Sequence, residues 1–436
     1  MRIGIVPAFP SQGGVYQYSL SMLRALSEWK DQGCEDEFVV FAEEALRPAL
    51  QLLSHCDGRL KAVAPQPPSL GKKSLDALRL IIGEGPHREA WRWLRRQFEQ
   101  AFDRRNPSLS NPDIVRYQRD ISRWFHRCGV DVMLYPAPNP LSFETRFPYL
   151  MAIHDLQHRL QPEFPEVSTN GEWEKREYYF RNGARYATLL LADSEIGKED
   201  ILNIYGPYGV TPDRVKVLPF LPACYLSVDI SASERERVRT AYLLPERYLF
   251  YPAQFWPHKN HVRIVRSLAV LKREYGLKIP IVFSGSYTGE IRERTFLDVM
   301  SLSSQLGLEK EIHYLGYVPD EDMSALYAGA VGLVMPTFFG PTNIPMLEAW
   351  AFGCPVLTSD IRGIREQTGN AAILVNPRSE ESIAYGIYQL CMDEDLRRVL
   401  ADRGRRRLES YNADDYRRRL IEIVEEAKAR IQLEKQ

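Results

Sequence analysis

Short apolar runs alternate with longer amphipathic stretches along nearly the whole chain, and this rhythm limits the fold more than any other feature. In the first half the runs fall at residues 3–6, 38–41, 132–135, 149–153, 188–192 and 215–218. In the second half they fall at 248–251, 281–283, 312–315, 331–335, 356–358 and 372–375. Continuous apolar runs of about four to six residues read as strands buried on both faces. The stretches between them have helical spacing, as at 261–275, 292–306 and 320–328. Strand–helix–strand repetition means parallel sheets with right-handed crossovers. The rhythm restarts near residue 248, after a polar, charged stretch at 229–247. A chain of 436 residues is too long for one core, which rarely exceeds ~250–300 residues. The expected fold class is therefore α/β, with two Rossmann-like, doubly wound parallel-sheet domains facing a central cleft. The first domain is placed at 1–228, with an insertion at about 65–118, and the second at 245–411, followed by a helical stretch at 412–436. Ligands of such sheets bind outside the carboxyl ends of the strands.

Charge and cysteine content exclude several classes. Lys and Arg number 56 and Asp and Glu 57, so no general nucleic-acid-binding surface is expected. The six cysteines form no CxxC pair and no Cys/His cluster with zinc-ligand spacing. Scattered thiols suit a reducing cytosol. Pro7 and Pro10 interrupt the N-terminal apolar run before it could serve as a signal peptide. No window approaches the ~18–20 apolar residues that span a bilayer. The expected location is cytoplasmic, with the inner face of the cytoplasmic membrane left open.

The segment at about 65–111 breaks the rhythm. It holds Pro65, Pro67, Pro68 and Gly71, then a helical pattern in which Ala90, Leu94, Phe98 and Ala101 recur beside Trp91 and Phe102. Arg88, Arg92, Arg95, Arg96, Arg104 and Arg105 supply charge. This surface reads either as one that meets anionic lipid heads or a diphosphate-bearing acceptor, or as a helix packed on its own domain with a solvated arginine face.

The most informative stretch is 336–356. It follows the run 331–335, turns at Gly340-Pro341, and starts a helix near Ile344, with Thr342 or Asn343 as N-cap candidates and Pro345 in the first turn. Free amides at that start suit a diphosphate or sugar oxygens. Glu348, one turn on, can accept two ribose hydroxyl hydrogens. A second constellation, Tyr251-Pro252-Ala253-Gln254-Phe255-Trp256-Pro257-His258-Lys259-Asn260-His261, follows the first strand of the second domain. Lys259 at that edge can neutralise a departing diphosphate. His258 and His261 have the spacing of a metal pair but lack a third ligand nearby. In the first half, Gly13-Gly14 follow the first strand, and glycines there let a backbone approach a ligand closely. His154-Asp155 lie at another strand end. No full GxGxxG is present, which counts against a dinucleotide fingerprint.

The stretch 336–356 resembles the donor-binding signature of retaining glycosyltransferases of family 4, which have the GT-B fold. That signature usually reads Glu-Gly-Phe-Gly-Leu-Pro-x-Leu-Glu-Ala and ends in Gly-x-Pro-Val. Here Glu348, Ala349, Gly353, Pro355 and Val356 match. The first Glu position is Gly340, so Phe-Gly-Pro-Thr-Asn-Ile-Pro replaces the paired-Glu form, and Thr342, Asn343 and the backbone at Ile344 would cover the sugar contact. The family usually has Arg or another residue where Gln254 stands; Gln brings no charge, so Lys259 carries more of the load. Gly285 matches the family's glycine turn, and the backbone at Val318 matches its base contact. The resemblance implies that His154 reaches the donor sugar, Asp155 fixes its loop, and Asp193-Ser194-Glu195 shape the cleft without a chemical role. It also implies that the last helix crosses back to the first domain, with closure following donor binding.

The implied function is retaining transfer of a hexose from a GDP-mannose or UDP-hexose donor to a saccharide or lipid-linked saccharide acceptor in polysaccharide or glycoconjugate biosynthesis. The catalytic set would be Lys259, Gln254 and His154. The donor would be held by Gly13, Gly14, Gly285, Val318, Gly340, Thr342, Asn343, Ile344 and Glu348. No cofactor or metal is implied beyond the nucleoside diphosphate sugar. Peripheral membrane contact would run through about 88–105. The alternatives are a non-catalytic nucleotide-sugar-binding subunit and a GT-B epimerase or phosphorylase.

Overall fold

A computed structural model describes residues 1–8, 13–41, 60–63, 111–223, 226, 230–434 and 436. Ser11, Gln12 and the arginine-rich segment at 88–105 lie outside the described residues. Two fully parallel sheets organise the chain. The first is 7-stranded, in the order β3-β2-β1-β4-β5-β6-β7. Its strands are β1 Arg2–Ile5, β2 Glu37–Phe41, β3 Leu60–Val63, β4 Val132–Tyr135, β5 Tyr149–Ala152, β6 Leu189–Ala192 and β7 Val215–Val217. The second is 6-stranded, in the order β10-β9-β8-β11-β12-β13. It comprises β8 Leu249–Pro252, β9 Ile281–Ser284, β10 Ile312–Tyr314, β11 Gly332–Met335, β12 Val356–Ser359 and β13 Ala372–Val375.

Each apolar run of the sequence becomes a strand. β6 shows why burial decides: Leu189, Leu190, Leu191 and Ala192 favour helix intrinsically, yet all four are fully buried in the sheet. Ser194 ends the run and caps the next helix, Glu195–Tyr205, by accepting from the Gly197 amide at 3.0 Å. The sequence reading overlooks β3. Leu60-Lys61-Ala62-Val63 is not a continuous apolar run, and it sits at the sheet edge, where only β2 pairs with it.

The polar stretch at 229–247 is not a bare connection. It contains helix Ala232–Ala241, opened by a capping box between Ser231 and Glu234. Val238 of this helix joins the second core, and Arg237 and Tyr242 both bond to Asp322. The helix Ala413–Glu434 packs on helix Gly14–Asp31. Its buried face, Tyr416, Leu420, Ile423, Val424, Ala427 and Ile431, belongs to the core of the first sheet. Lys428 pairs with Asp36 at 2.6 Å and Arg417 with Glu28 at 2.6 Å, closing the seam.

In both sheets the strand order reverses next to the first strand of the unit, between β1 and β4 and between β8 and β11. A crevice opens at such switch points beyond the strand ends. The loops that leave β8 and β11 carry the two constellations singled out in the second half of the sequence.

Candidate active site between the two sheets

The loop after β8 forms the turn Pro257–Lys259 and then helix His261–Tyr275. Asn260 joins the two in the left-handed conformation, φ 64°, which Asn tolerates better than most residues. Its buried side-chain amide donates to the carbonyls of Pro336 and Pro377, each at 2.8 Å. The Phe338 amide donates to the His258 carbonyl at 2.8 Å. The loops after β8, β11 and β13 are therefore bonded together before any ligand arrives. Lys259 projects from this assembly, with Nζ 3.5 Å from Asn343 Oδ1. Burial lowers its pKa to about 8, against the pull of the Asp155 and Glu166 carboxylates.

Asn343 precedes helix Ile344–Ala351, but its side chain caps nothing. Instead its amide N–H donates to Gln367 Oε1 at 2.8 Å, and Gln367 Nε2 donates back to the Asn343 carbonyl at 2.9 Å. Asn343 Nδ2 reaches the Gly340 carbonyl at 3.2 Å. Gly340 is at φ 128°, and a Cβ there would lie 2.7 Å from the Asn343 amide, so this turn requires glycine. Gly285, after β9, is similarly constrained: a Cβ would lie 2.6 Å from the Ala253 carbonyl oxygen and 2.9 Å from the Gln254 nitrogen. Its N–H donates to the Gly316 carbonyl at 2.8 Å. Val318, expected to offer its backbone to the base, is buried as a whole residue and packs in the second core.

Gln254 differs from expectation in one respect. Its Oε1 accepts from Arg292 Nη1 at 2.6 Å and from Trp256 Nε1 at 3.1 Å, and the Arg292 guanidinium lies 4.6 Å from the Trp256 ring centroid. A positive charge thus stands where Gln254 alone supplies none. Nothing in the local sequence marks Arg292, which sits in the first turn of helix Glu290–Gln305.

On the facing wall, Gly13 precedes helix Gly14–Asp31 at φ 86°. A Cβ on Gly14 would lie 3.3 Å from Ile344 Cδ1, so the glycine pair of the first half meets the helix start of the second. His154, expected to touch the sugar, has both ring nitrogens engaged. Nδ1 lies 3.0 Å from Asp193 Oδ1 and Nε2 lies 2.6 Å from the Pro136 carbonyl oxygen. Nε2 donates to the Pro136 carbonyl, and Nδ1 shares a proton with the Asp193 carboxyl, whose own pKa burial pushes up. Burial alone would lower its pKa, but the Asp193 charge and these hydrogen bonds outweigh burial and raise it. A sugar contact through the His154 ring requires one of these bonds to break. Asp193, read from sequence as only a cleft-shaping residue, is the group that holds the His154 ring, and it also lies 3.5 Å from Thr342 Oγ1 across the cleft. Asp155 accepts from the Gln157 amide at 3.0 Å and from Arg176, which holds its loop. Glu348 is almost completely buried, and Tyr327 Oη donates to its Oε2 at 2.6 Å. Part of the accepting capacity expected for a ribose is therefore taken inside the domain.

The histidines of the second constellation do not converge. His258 turns to Glu166 of the first half, with Nδ1 2.5 Å from Oε1. Burial lowers its pKa. His261 stacks on Phe255, ring centroids 4.3 Å apart, and is fully buried. Other bonds also cross between the halves. The amides of Glu195 and Ile196 donate to the two oxygens of Glu366 at 3.0 and 3.1 Å. Arg362 pairs with Glu199 at 2.7 Å and also with Asp200.

Comparison with known proteins bears on the fold and on the second half of the chain. Residues 233–407 match the family model described as Glycosyl transferases group 1. The chain is 28% identical over 262 residues to the O-antigen chain mannosyltransferase B of Escherichia coli, covering 57% of this chain and 66% of that one. It is 30% identical over 180 residues to the O-antigen chain mannosyltransferase RfbU of Salmonella typhimurium, covering 41% and 45%. The matches therefore span two thirds or less of these relatives. The Anabaena protein HepE, solved in complex with UDP-glucose, superposes with a TM-score of 0.67 at 16% identity, covering 98% of this chain and 100% of that one. WaaG, a glycosyltransferase involved in lipopolysaccharide biosynthesis, superposes with a TM-score of 0.60 at 15% identity, covering 95% and 97%. The chain thus has the GT-B architecture, and its residues 233–407 are similar to the glycosyl transferases group 1 family.

Proposed function

We propose that this protein is a retaining glycosyltransferase of family 4. It transfers a hexose from a nucleoside diphosphate sugar to a saccharide or lipid-linked saccharide in polysaccharide or glycoconjugate biosynthesis. The observation that carries the reading is the position of Lys259, 3.5 Å from Asn343 at the start of helix Ile344–Ala351 and at the switch point between β8 and β11. An ammonium group and a helix N-terminus there suit a diphosphate whose charge grows as it leaves. Arg292, held on Gln254, adds a second cation to the same rim. The names of the O-antigen relatives favour a mannosyl donor, so GDP-mannose is the first to test, with UDP-hexoses beside it.

In the proposed reaction the acceptor hydroxyl oxygen bonds to the anomeric carbon on the face that the diphosphate vacates. The carbon–oxygen bond to phosphate breaks, and the hydroxyl proton passes to the leaving phosphate oxygen. The products are a glycan longer by one hexose and a nucleoside diphosphate. The protein's part is positioning and charge stabilisation, with no general-base side chain. No metal takes part in this scheme, and full activity in EDTA with no gain from manganese is the expected result.

The deciding experiment incubates the chain with a panel of nucleotide sugars and oligosaccharide acceptors and follows consumption by mass spectrometry. Release of GDP with a lengthened glycan supports the reading. Binding of a donor without turnover across the panel would favour the non-catalytic subunit. Interconversion of sugar nucleotides without release would favour an epimerase. The inner membrane face is the proposed site of action. Co-sedimentation with anionic liposomes that persists after replacement of the arginines at 88–105 would remove that segment's part in it.

A further inference from the structure

A cavity of about 610 Å³ opens beside the donor cleft, within the ~300–1,000 Å³ typical of small-ligand sites. Helices His261–Tyr275 and Glu290–Gln305 form two of its walls, and the first half closes it with Asn170. Its floor includes Phe338 and Asn260, from the loops that flank Gly340 and Lys259. No residue assigned above to the diphosphate, base or ribose lines it.

Three charged side chains, Glu290, Arg294 and Asp298, face this space from successive turns of one helix. Their i, i+4, i+8 spacing stacks them on one face. Among the described residues none of the three makes an ion pair or side-chain hydrogen bond, with one another or with anything else. Arg266 stands across from them and is anchored to Glu380 at 3.3 Å. With Arg263 and Arg266 on the facing helix, the lining mixes three guanidinium groups with two carboxylates, which gives neither an anion nor a cation a uniform field. A neutral polyhydroxylated ligand suits it better: each hydroxyl can donate to a carboxylate or accept from a guanidinium. Phe338 also lines the cavity, with the Arg263 and Arg378 guanidinium groups 5.7 and 5.4 Å from its ring centroid. The helix fixes the spacing of the three backbone positions, and the side chains themselves are exposed.

We infer that this cavity is a saccharide-binding site, separate from the donor site, that holds sugar units of the glycan remote from the reacting hydroxyl. Binding rests on the cavity alone; its role toward an acceptor rests on the function proposed above. Asn170 and Arg294 come from opposite halves, so an occupied cavity also favours the closed cleft.

The test uses the full chain and a linear mannotriose as probe, followed by saturation-transfer NMR and titration calorimetry with GDP or UDP added to saturation. Binding that persists beside the nucleotide is expected. It should weaken by at least about tenfold in Arg294→Ala/Asp298→Ala, the scale of lost charge-assisted hydrogen bonds, with nucleotide binding and melting temperature unchanged. In turnover, the double variant should raise KM for a long acceptor and leave kcat unchanged. The proposal is overturned by absence of mannotriose binding to the wild-type chain, by equal binding to the double variant, or by Arg294-dependent capture of pyrophosphate in its place. A chain that binds mannotriose but consumes no nucleotide sugar would keep this site and sink only the transferase reading.

Discussion

The two walls of the cleft are built differently. On the second sheet, the loops after β8, β9, β10, β11 and β13 are joined by backbone and buried-amide bonds: Phe338 to His258, Asn260 to Pro336 and Pro377, and Gly285 to Gly316. The cationic groups Lys259 and Arg292 stand on that stitched frame. On the first sheet, the loops are held by charged side chains, with His154 on Asp193 and Asp155 on Arg176. That wall is completed from across the cleft, where Glu366 satisfies the first amides of helix Glu195–Tyr205. The lesson is a division of labour. The wall that would meet the diphosphate is cross-linked chiefly through backbone carbonyls and amides, and the wall facing it leans more on charged side chains.

The sharpest way to break this comparison is at Lys259. Lys259→Ala should reduce transfer by about 10²–10³-fold, the usual cost of one transition-state donor, with circular dichroism and melting temperature preserved. Undisturbed kinetics would remove Lys259 from the chemistry. The next test concerns the charged wall. Asp193→Asn removes the carboxyl that holds buried His154, and breaking such a buried pair costs about 3–5 kcal/mol, to be read from urea unfolding. A change near zero would show that the two walls do not differ as described.

Two pH profiles separate the walls further. The pKa of Lys259 is lowered by burial to about 8, so its charge is lost as pH rises through that value. The kcat/KM of the free enzyme should fall up to about tenfold per unit above it, and Lys259→Arg should move that limb to higher pH. His154 has a raised folded pKa, so the native state binds its proton more tightly than the unfolded chain does. That stability is fully present below the unfolded value of about 6.5 and is lost as pH rises through the folded value. Thermal melts of wild type should therefore decline toward alkaline pH more than those of His154→Asn. The smallest effect is expected at Glu366→Gln, where an exposed helix-start contact is worth about 0.3–1 kcal/mol. It should loosen the approach of the two halves, measured by small-angle scattering, while leaving each half's own stability intact.

The second half was the more legible in sequence because its signals are local. Glycine, proline and strand-end position at 336–356 follow from backbone rules that a few residues express. The helical spacing at 261–275 matches helix His261–Tyr275 to the residue, while the turn Pro257–Lys259 ahead of it has no such signal. What stayed hidden depends on residues far apart in the chain. Arg292 reaches Gln254 across 38 positions, Glu166 reaches His258 across 92, and Thr342 meets Asp193 across 149. No periodicity encodes such pairings. His154 was found by its strand-end position, but its neighbours decide its protonation, and these lie on other elements. Helix Ala232–Ala241 escaped notice because only Val238 on it is buried.

The seam between helix Gly14–Asp31 and helix Ala413–Glu434 bears on the order of events during synthesis. The first sheet leaves the ribosome early, yet six side chains of its core belong to residues 416–431. Until those residues emerge, the nascent first half carries an uncovered apolar stripe along Gly14–Asp31, and the whole second sheet is translated in the meantime. The first half therefore completes its folding last, and a chaperone that shields the 14–31 stripe would find its longest window of action there.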